Sequence, residues 1–286
     1  MKKSKKSKNV WIANPSNLCP VPNNNKVSEY VNMIYKNITH GKQPSVNKLP
    51  QLIIPIGTPS SGKSTILEFL VKEHSDIDFK DYVYFDTDKL LDYLPIGENI
   101  QNIPDINGNK TGIGYAFGWS ECMDKLSRTQ IVPLLINKIL RSNYNFILNT
   151  HYFNVIIDAQ LNGYFCILVY VLVTKKIAKE RATNRAQELG RFFSLNYNNA
   201  FGWSESIQYY LKTYKEQAVW YSLWADRLVI VKNNKNNTFP KKNDFKIIIT
   251  HPNGHSKKNN WKIHIKKIYN MIDTLSFEKG EQKKNS

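Results

Sequence analysis

Apolar and polar positions along the chain fall into two alternating regimes. Short apolar runs bounded by turn residues predict strands, and longer stretches with apolar positions three and four apart predict helices. Leu52-Ile-Ile-Pro-Ile56 is the first such run and stops at Gly57. Tyr82-Val-Tyr-Phe85, Asn145-Phe-Ile-Leu-Asn149, Phe165 to Val173 and Arg227-Leu-Val-Ile-Val231 follow, and Phe245 to Thr250 is a sixth candidate. The fourth run is apolar at nearly every position, as in parallel strands covered on both faces. Helices are predicted over Val27 to Asn37, Thr65 to Lys72, about Trp119 to Arg141, Lys175 to Glu188, Ser204 to Trp220 and 260–276. Residues 97–114, rich in Gly, Asn and Pro, predict a long loop.

Strand and helix alternate about five times from residue 49 onward, which predicts an α/β fold with a parallel sheet and helices on both faces. Ligands of such folds sit beyond the carboxyl ends of the strands. The chain divides into an Asn- and Pro-rich extension over 1–48 with a basic arm at its start, a core domain over 49–235, and a strand, helix and basic tail over 236–286. With 41% hydrophobic residues in 286, there is enough apolar material for a packed core, and wholesale disorder is excluded.

The longest apolar run, Tyr164 to Val173, has ten residues, about half of the ~20 needed to span a bilayer, so no membrane helix is expected. MKKSKKSKN is basic but no apolar stretch follows it, so it does not read as a secretory signal. Cys19, Cys122 and Cys166 are widely separated and fit a reducing, cytoplasmic setting, with a nuclear location left open by the basic N-terminus. The histidines show no metal-ligand spacing, so no zinc site is expected. The net charge of +17 favours an anionic partner, either nucleic acid or nucleotides, although lysine is also an ordinary surface residue in a Lys- and Asn-rich chain.

Chemistry concentrates first at Gly57-Thr-Pro-Ser-Ser-Gly-Lys-Ser-Thr65, which fits G-x-x-x-x-G-K-[ST] in full between a predicted strand and a predicted helix. Gly57, Thr58, Pro59, Ser60, Ser61, Gly62, Lys63, Ser64 and Thr65 are the candidate nucleotide-binding residues. Glycines let backbone N–H groups curl around a phosphate, and the following helix adds the partial positive charge of its N-terminus. Lys63 reaches the β- and γ-phosphates and Ser64 supplies a hydroxyl to Mg²⁺. The expected cofactors are therefore ATP and Mg²⁺.

Asp86-Thr-Asp88 closes the second strand. On extended chain, residues i and i+2 point the same way, so both carboxylates are expected in the cleft. One of Asp86 and Asp88 can help hold Mg²⁺ through water, and the other can accept a proton from an acceptor hydroxyl. The third strand ends Leu148-Asn-Thr-His151, without the acid typical of motor NTPases, which favours a kinase. Arg181 and Arg185 share a helix face, Gly190 can end that helix, and Arg191 follows in a loop. Such arginines, on a lid near 181–200, can close over a triphosphate and neutralise its developing charge.

The motifs GTPSSGKST, FDTDKLLDYLP and RATNRAQELGRFF together resemble the P-loop kinases of the zeta-toxin group, which are also similar to gluconate, shikimate and polynucleotide 5′-hydroxyl kinases. The resemblance covers about residues 49–235. It implies a three-layer P-loop NTPase fold with sheet order 2-3-1-4-5 and phosphoryl transfer from Mg-ATP, with Asp88 in the place of the family's base and Arg181, Arg185 and Arg191 as the lid arginines. Zeta toxins proper phosphorylate UDP-N-acetylglucosamine. The chain departs from the pattern at Leu91, where the family has Arg, at Leu94-Pro95 in place of His-Pro, and at Phe192-Phe193 after Arg191. The acceptor pocket is therefore expected to differ.

Three functions follow from this reading: a kinase acting on a hydroxyl of a small molecule, a nucleotide sugar among the candidates; a polynucleotide 5′-hydroxyl kinase; and a non-catalytic nucleotide-binding scaffold. The expected partners are ATP and a hydroxyl-bearing acceptor, with nucleic acid suggested by charge and no membrane; an antitoxin-like partner leaves no signal of its own. One motif stands apart. Ala116-Phe-Gly-Trp-Ser-Glu121 recurs as Ala200-Phe-Gly-Trp-Ser-Glu205. It reads either as a reused helix start, with Ser as N-cap, or as a pair of tryptophans, Trp119 and Trp203, facing one cleft.

Overall fold

The computed structural model describes residues 24–58, 60–74, 78–94, 126, 130–150, 152–189, 203–233, 245–249 and 261–276. The elements in chain order are α1 (Asn24–Thr39), β1 (Gln51–Ile56), α2 (Lys63–His74), β2 (Val83–Asp86), α3 (Ile131–Arg141), β3 (Phe146–Asn149), α4 (Val155–Leu161), β4 (Phe165–Leu172), α5 (Lys175–Leu189), α6 (Trp203–Tyr221), β5 (Arg227–Lys232), β6 (Phe245–Ile249) and α7 (Trp261–Ser276). Short 3₁₀ segments span Phe79–Asp81 and Thr87–Tyr93.

The six strands form one sheet in the order β2-β3-β1-β4-β5-β6. The first five are parallel, as expected, and β6 adds an antiparallel edge beside β5. Alternation along each central strand covers both faces. In β1, Leu52, Ile54 and Ile56 enter one core cluster, with residues of α1, α3, α4, α6 and α7, while Ile53 enters another. In β4, Leu168 and Tyr170 join the first, and Val169 and Val171 the second. The second cluster is closed by Ile66, Leu67, Leu70 and Val71 of α2. The result is three layers, helix–sheet–helix.

The sequence misses α4. Val155-Ile-Ile-Asp-Ala-Gln-Leu161 is short and its apolar residues are bunched, so its helical period is poorly defined. It completes the β3-to-β4 crossover and buries Val155, Ile156 and Ala159. Of the predicted helix from Trp119, the structure describes Leu126, helical and buried, and the stretch from Ile131. The repeat at Ala116 to Glu121, the basic arm, the 97–114 loop, Cys19, Cys122 and His151 lie outside the described residues. At the second repeat the helix already includes Trp203, one residue before the expected start, and the side chains of 203–208 lie outside the described residues. No helix among the described residues is long and apolar enough to cross a membrane.

α1 packs on the sheet as an amphipathic element. Val27, Val31, Ile34 and Ile38 sit on one helical face and are buried in the same cluster as β1. Tyr35 donates from its hydroxyl to Ser142 Oγ at 2.9 Å, just past α3. Ile34 is 0% exposed, so Ile34→Ala is expected to cost about 2–5 kcal/mol. In a chain of this size that lowers Tm by about 2–4 °C per kcal/mol, which a thermal melt reads. An unchanged Tm would show that α1 does not belong to the cooperative core.

Candidate functional site

The parallel arrangement brings the carboxyl ends of β1 to β5 to one edge of the sheet. A cavity of about 440 Å³ opens there, within the range typical of ligand sites. It is lined by Gly57, Ser60, Gly62, Lys63, Ser64 and Thr65 after β1, by Asp86 to Lys89 after β2, and by Asn149 and Thr150 after β3. Phe153, Pro55, Arg181 of α5 and Tyr214 of α6 complete the wall.

The loop after β1 has the geometry its composition predicts. Gly62 sits at φ 85° and Ser60 at φ 61°, so two left-handed residues fold the backbone into a concave turn, with α2 starting at Lys63. Ser60 has no glycine's freedom, and its conformation is locally strained. A Cβ at Gly57 would lie 2.8 Å from Ser61 Oγ and from the Val171 carbonyl, so the loop seats closely against β4. Lys63 Nζ donates to the Gly57 carbonyl at 2.9 Å and to the Thr58 carbonyl at 3.2 Å, which holds the ammonium across the loop. Among the described residues five buried side-chain polar atoms lack a hydrogen-bond partner, and three are the hydroxyls of Thr58, Ser60 and Ser61. Of the three, Ser60 lines the cavity, and its unpaired hydroxyl, beside an ammonium and a helix N-terminus, fits an oxygen of a phosphate. Thr58 and Ser61 are buried but do not line the cavity; Pro59 lies outside the described residues.

Both aspartates line the cavity, by a route the pleat argument missed. The chain leaves extended geometry at Asp86 and enters the 3₁₀ segment at Thr87. Asp86 Oδ1 caps that segment by accepting from the Asp88 N–H at 3.0 Å. The cap, rather than alternation along a strand, turns the two carboxylates to one side. Thr87 Oγ1 donates to the Asn149 carbonyl at 3.2 Å and ties the segment to β3. Burial raises the Asp86 pKa above the ordinary carboxylate value, and the Asp88 charge adds to the rise; hydrogen bonds from the Asn149 side chain and the Asp88 N–H oppose it. Burial, then the charge of Asp86, raises the Tyr84 hydroxyl, which meets the Ser64 side chain.

Arg181 reaches back from α5 to the loop, where Nη1 donates to the Ser61 carbonyl at 3.2 Å. Burial lowers its pKa, as expected for a cation partly withdrawn from water. Arg185 lies on α5 with its side chain outside the described residues, and Gly190 and Arg191, with the rest of the expected lid to residue 200, lie outside them too. Five wall residues carry no sequence signal strong enough to be singled out: Tyr214, Phe153, Lys89, Asn149 and Thr150. The last two stand at a strand's carboxyl end, a position that marks them once the sheet is known. Tyr214 is nearly buried, and burial and the Tyr210 and Asp88 charges raise its hydroxyl pKa. It stacks on Tyr210 with ring centroids 6.1 Å apart.

A family model described as zeta toxin matches residues 36–244. Among solved structures, one from the PezAT chromosomal toxin–antitoxin system of the human pathogen Streptococcus pneumoniae is similar over 89% of this chain and 97% of its own. Its identity is 15% and the TM-score 0.54, a likeness of fold. Another, from Chloroflexus aurantiacus J-10-fl, is 12% identical over 58% of this chain and 80% of its own, with a TM-score of 0.35. No curated protein matches the chain.

Proposed function

We propose, from the premise that this chain belongs to the zeta-toxin family, that it is an ATP- and Mg²⁺-dependent kinase transferring the γ-phosphate to a hydroxyl of a small molecule. The observation that carries the proposal is the convergence, on one cavity, of a phosphate-shaped loop, an acidic pair and an arginine from a following helix. In this reading the loop amides, the Ser60 hydroxyl and Lys63 hold the β- and γ-phosphates. The Ser64 hydroxyl and the Asp86 carboxylate are the hard oxygen donors that suit Mg²⁺, which when bound offsets phosphate charge. Asp88 accepts the proton of the acceptor hydroxyl as its oxygen attacks the γ-phosphorus. The bond from that phosphorus to the bridging oxygen breaks, and ADP departs with the electron pair. Arg181, with Arg185 and Arg191 beyond it, neutralises charge on the transferring group.

In this reading Phe153, Tyr214, Asn149, Thr150 and Lys89, which also line the cavity, face the acceptor. An apolar wall with a few polar groups suits a compact hydroxyl compound, a nucleotide sugar among the candidates. The similar solved structure comes from a toxin–antitoxin system, and an antitoxin-like partner for this chain is part of the same reading. The test is phosphate transfer from Mg-ATP, read by mass spectrometry, with UDP-N-acetylglucosamine and a 5′-hydroxyl oligonucleotide offered in parallel. Transfer to the oligonucleotide would assign the charge of +17 to substrate binding. ATP bound without transfer to any acceptor would leave the scaffold reading in its place.

Asp86 offers a separable check. Its raised pKa means that the folded protein holds that proton more tightly than the unfolded chain, so stability falls as pH rises from the ordinary carboxylate range through the raised value. Asn can keep the cap on the Asp88 N–H while removing the buried charge. Asp86→Asn is therefore expected to raise Tm at neutral pH, a gain that fades at acid pH, while weakening Mg²⁺-dependent nucleotide binding about 10–100-fold. A variant with lower Tm and unchanged Mg²⁺ dependence would refute both assignments.

A further inference from the structure

Asn233 lies one residue past β5 and is 8% exposed. Its backbone N–H donates to the Leu172 carbonyl at 2.8 Å, which extends the β4–β5 ladder by one step. Its side-chain Nδ2 donates to the Ser61 carbonyl, also at 2.8 Å. Arg181 Nη1 donates to that same oxygen from the other element, at 3.2 Å. A Cβ at Gly62 would come within 2.5 Å of Asn233 Nδ2, so the amide sits directly against the loop backbone.

We propose that Asn233 is a positioning residue of the phosphate loop, clamping the Ser61 carbonyl so that Arg181 can leave it for a bound phosphate without orphaning a buried acceptor. The clamp itself follows from the geometry; the release of Arg181 rests on the kinase reading above. A carbonyl oxygen has two acceptor positions, and here both are taken. If Arg181 alone held Ser61, its movement toward a ligand would leave a buried carbonyl without a partner, and that penalty would oppose nucleotide binding. With Asn233 in place the carbonyl stays satisfied in either position of the arginine. The peptide plane after Ser61 also stays fixed, and with it the direction of the Gly62 N–H.

The test uses the full chain and Asn233→Leu, which keeps the branching and the number of heavy atoms and removes the donor, with Asn233→Gln as the conservative variant. Hydrogen exchange in the ligand-free protein is read first. Peptides covering 57–65 are expected to exchange at least about tenfold faster in Asn233→Leu, while peptides from α1 and α3 keep their rates, and Gln to restore part of the protection. Unchanged loop exchange, or acceleration spread evenly over the fold, would overturn the clamp whether or not the chain is a kinase. Calorimetry then compares ADP with AMP. Asn233→Leu is expected to weaken ADP about tenfold and AMP little, because only ADP places a β-phosphate in the loop. Equal losses for both, after altered exchange, would overturn the link to phosphate. In the Asn233→Leu background Arg181→Ala should cost less ADP affinity than in the wild type, and fully additive losses would overturn the sharing of Ser61. Wild-type protein that binds neither nucleotide would refute the kinase reading and, with it, the release of Arg181, leaving the clamp to be judged by the exchange result.

Discussion

Asp88→Asn should lower the rate of phosphoryl transfer about 10²–10⁴-fold, with little change in ATP affinity. The range is that of a positioned general base. The side chain lines the same cavity as the loop after β1 and Tyr214, and its charge adds to the rise of the Tyr214 hydroxyl pKa. The isosteric amide keeps the shape and can still accept a hydrogen bond, but it cannot take up a proton. Its backbone N–H, the donor to Asp86, is untouched, so the 3₁₀ segment keeps its cap. The measurement is single-turnover transfer alongside calorimetric binding of ATP. A variant transferring at the wild-type rate would remove Asp88 from the chemistry. A variant that also loses ATP affinity would move it to the metal side, next to Asp86.

Lys63→Ala should act earlier in the cycle. The ammonium is held across the loop by the Gly57 and Thr58 carbonyls, placed to meet phosphate oxygens. Removing it leaves the loop amides, the helix N-terminus and the cations of Arg181 and Lys89 as the local positive field. The expected loss in kcat/KM is roughly 10²–10³-fold, the scale seen when one preorganised donor to a developing charge is removed. Part of the loss should appear as weaker ATP binding, which separates it from Asp88→Asn. Lys63→Arg should not rescue it, because a planar fork does not replace a compact point charge. An alanine variant with full affinity and full rate would show that the loop is not a phosphate site.

The legible parts of this molecule were the local ones. The nine-residue motif from Gly57 to Thr65 can be read from its own sequence and its two flanking elements, and the five parallel strands announce themselves by runs of apolar residues. Asp86 and Asp88 both line the cavity, but by a route other than the one expected: the segment curls into a 3₁₀ turn, and the cap does what a pleat was expected to do. Tyr214 and Asn233 were not legible. Tyr214 sits at the site only because α6 crosses β4 and β1. Asn233 matters only because β5 emerges beside the loop, 172 residues from the carbonyl it holds. Contacts of that range are products of topology, and no periodicity in the sequence encodes them.

The contact between Gly62 and Asn233 bears on how such chains are judged when their activity is in doubt. The glycine is demanded twice by the fold, by a backbone angle that side chains rarely adopt and by an amide that fills the space of a Cβ. Neither demand involves a nucleotide. A descendant that had lost all chemistry would still be selected to retain that glycine, since replacing it would disturb the loop and the end of β5 together. Survival of the glycines in a degenerate relative therefore testifies to an intact scaffold. Survival of Lys63 and Asp88, which the fold does not require in the same way, is the better witness to a working enzyme.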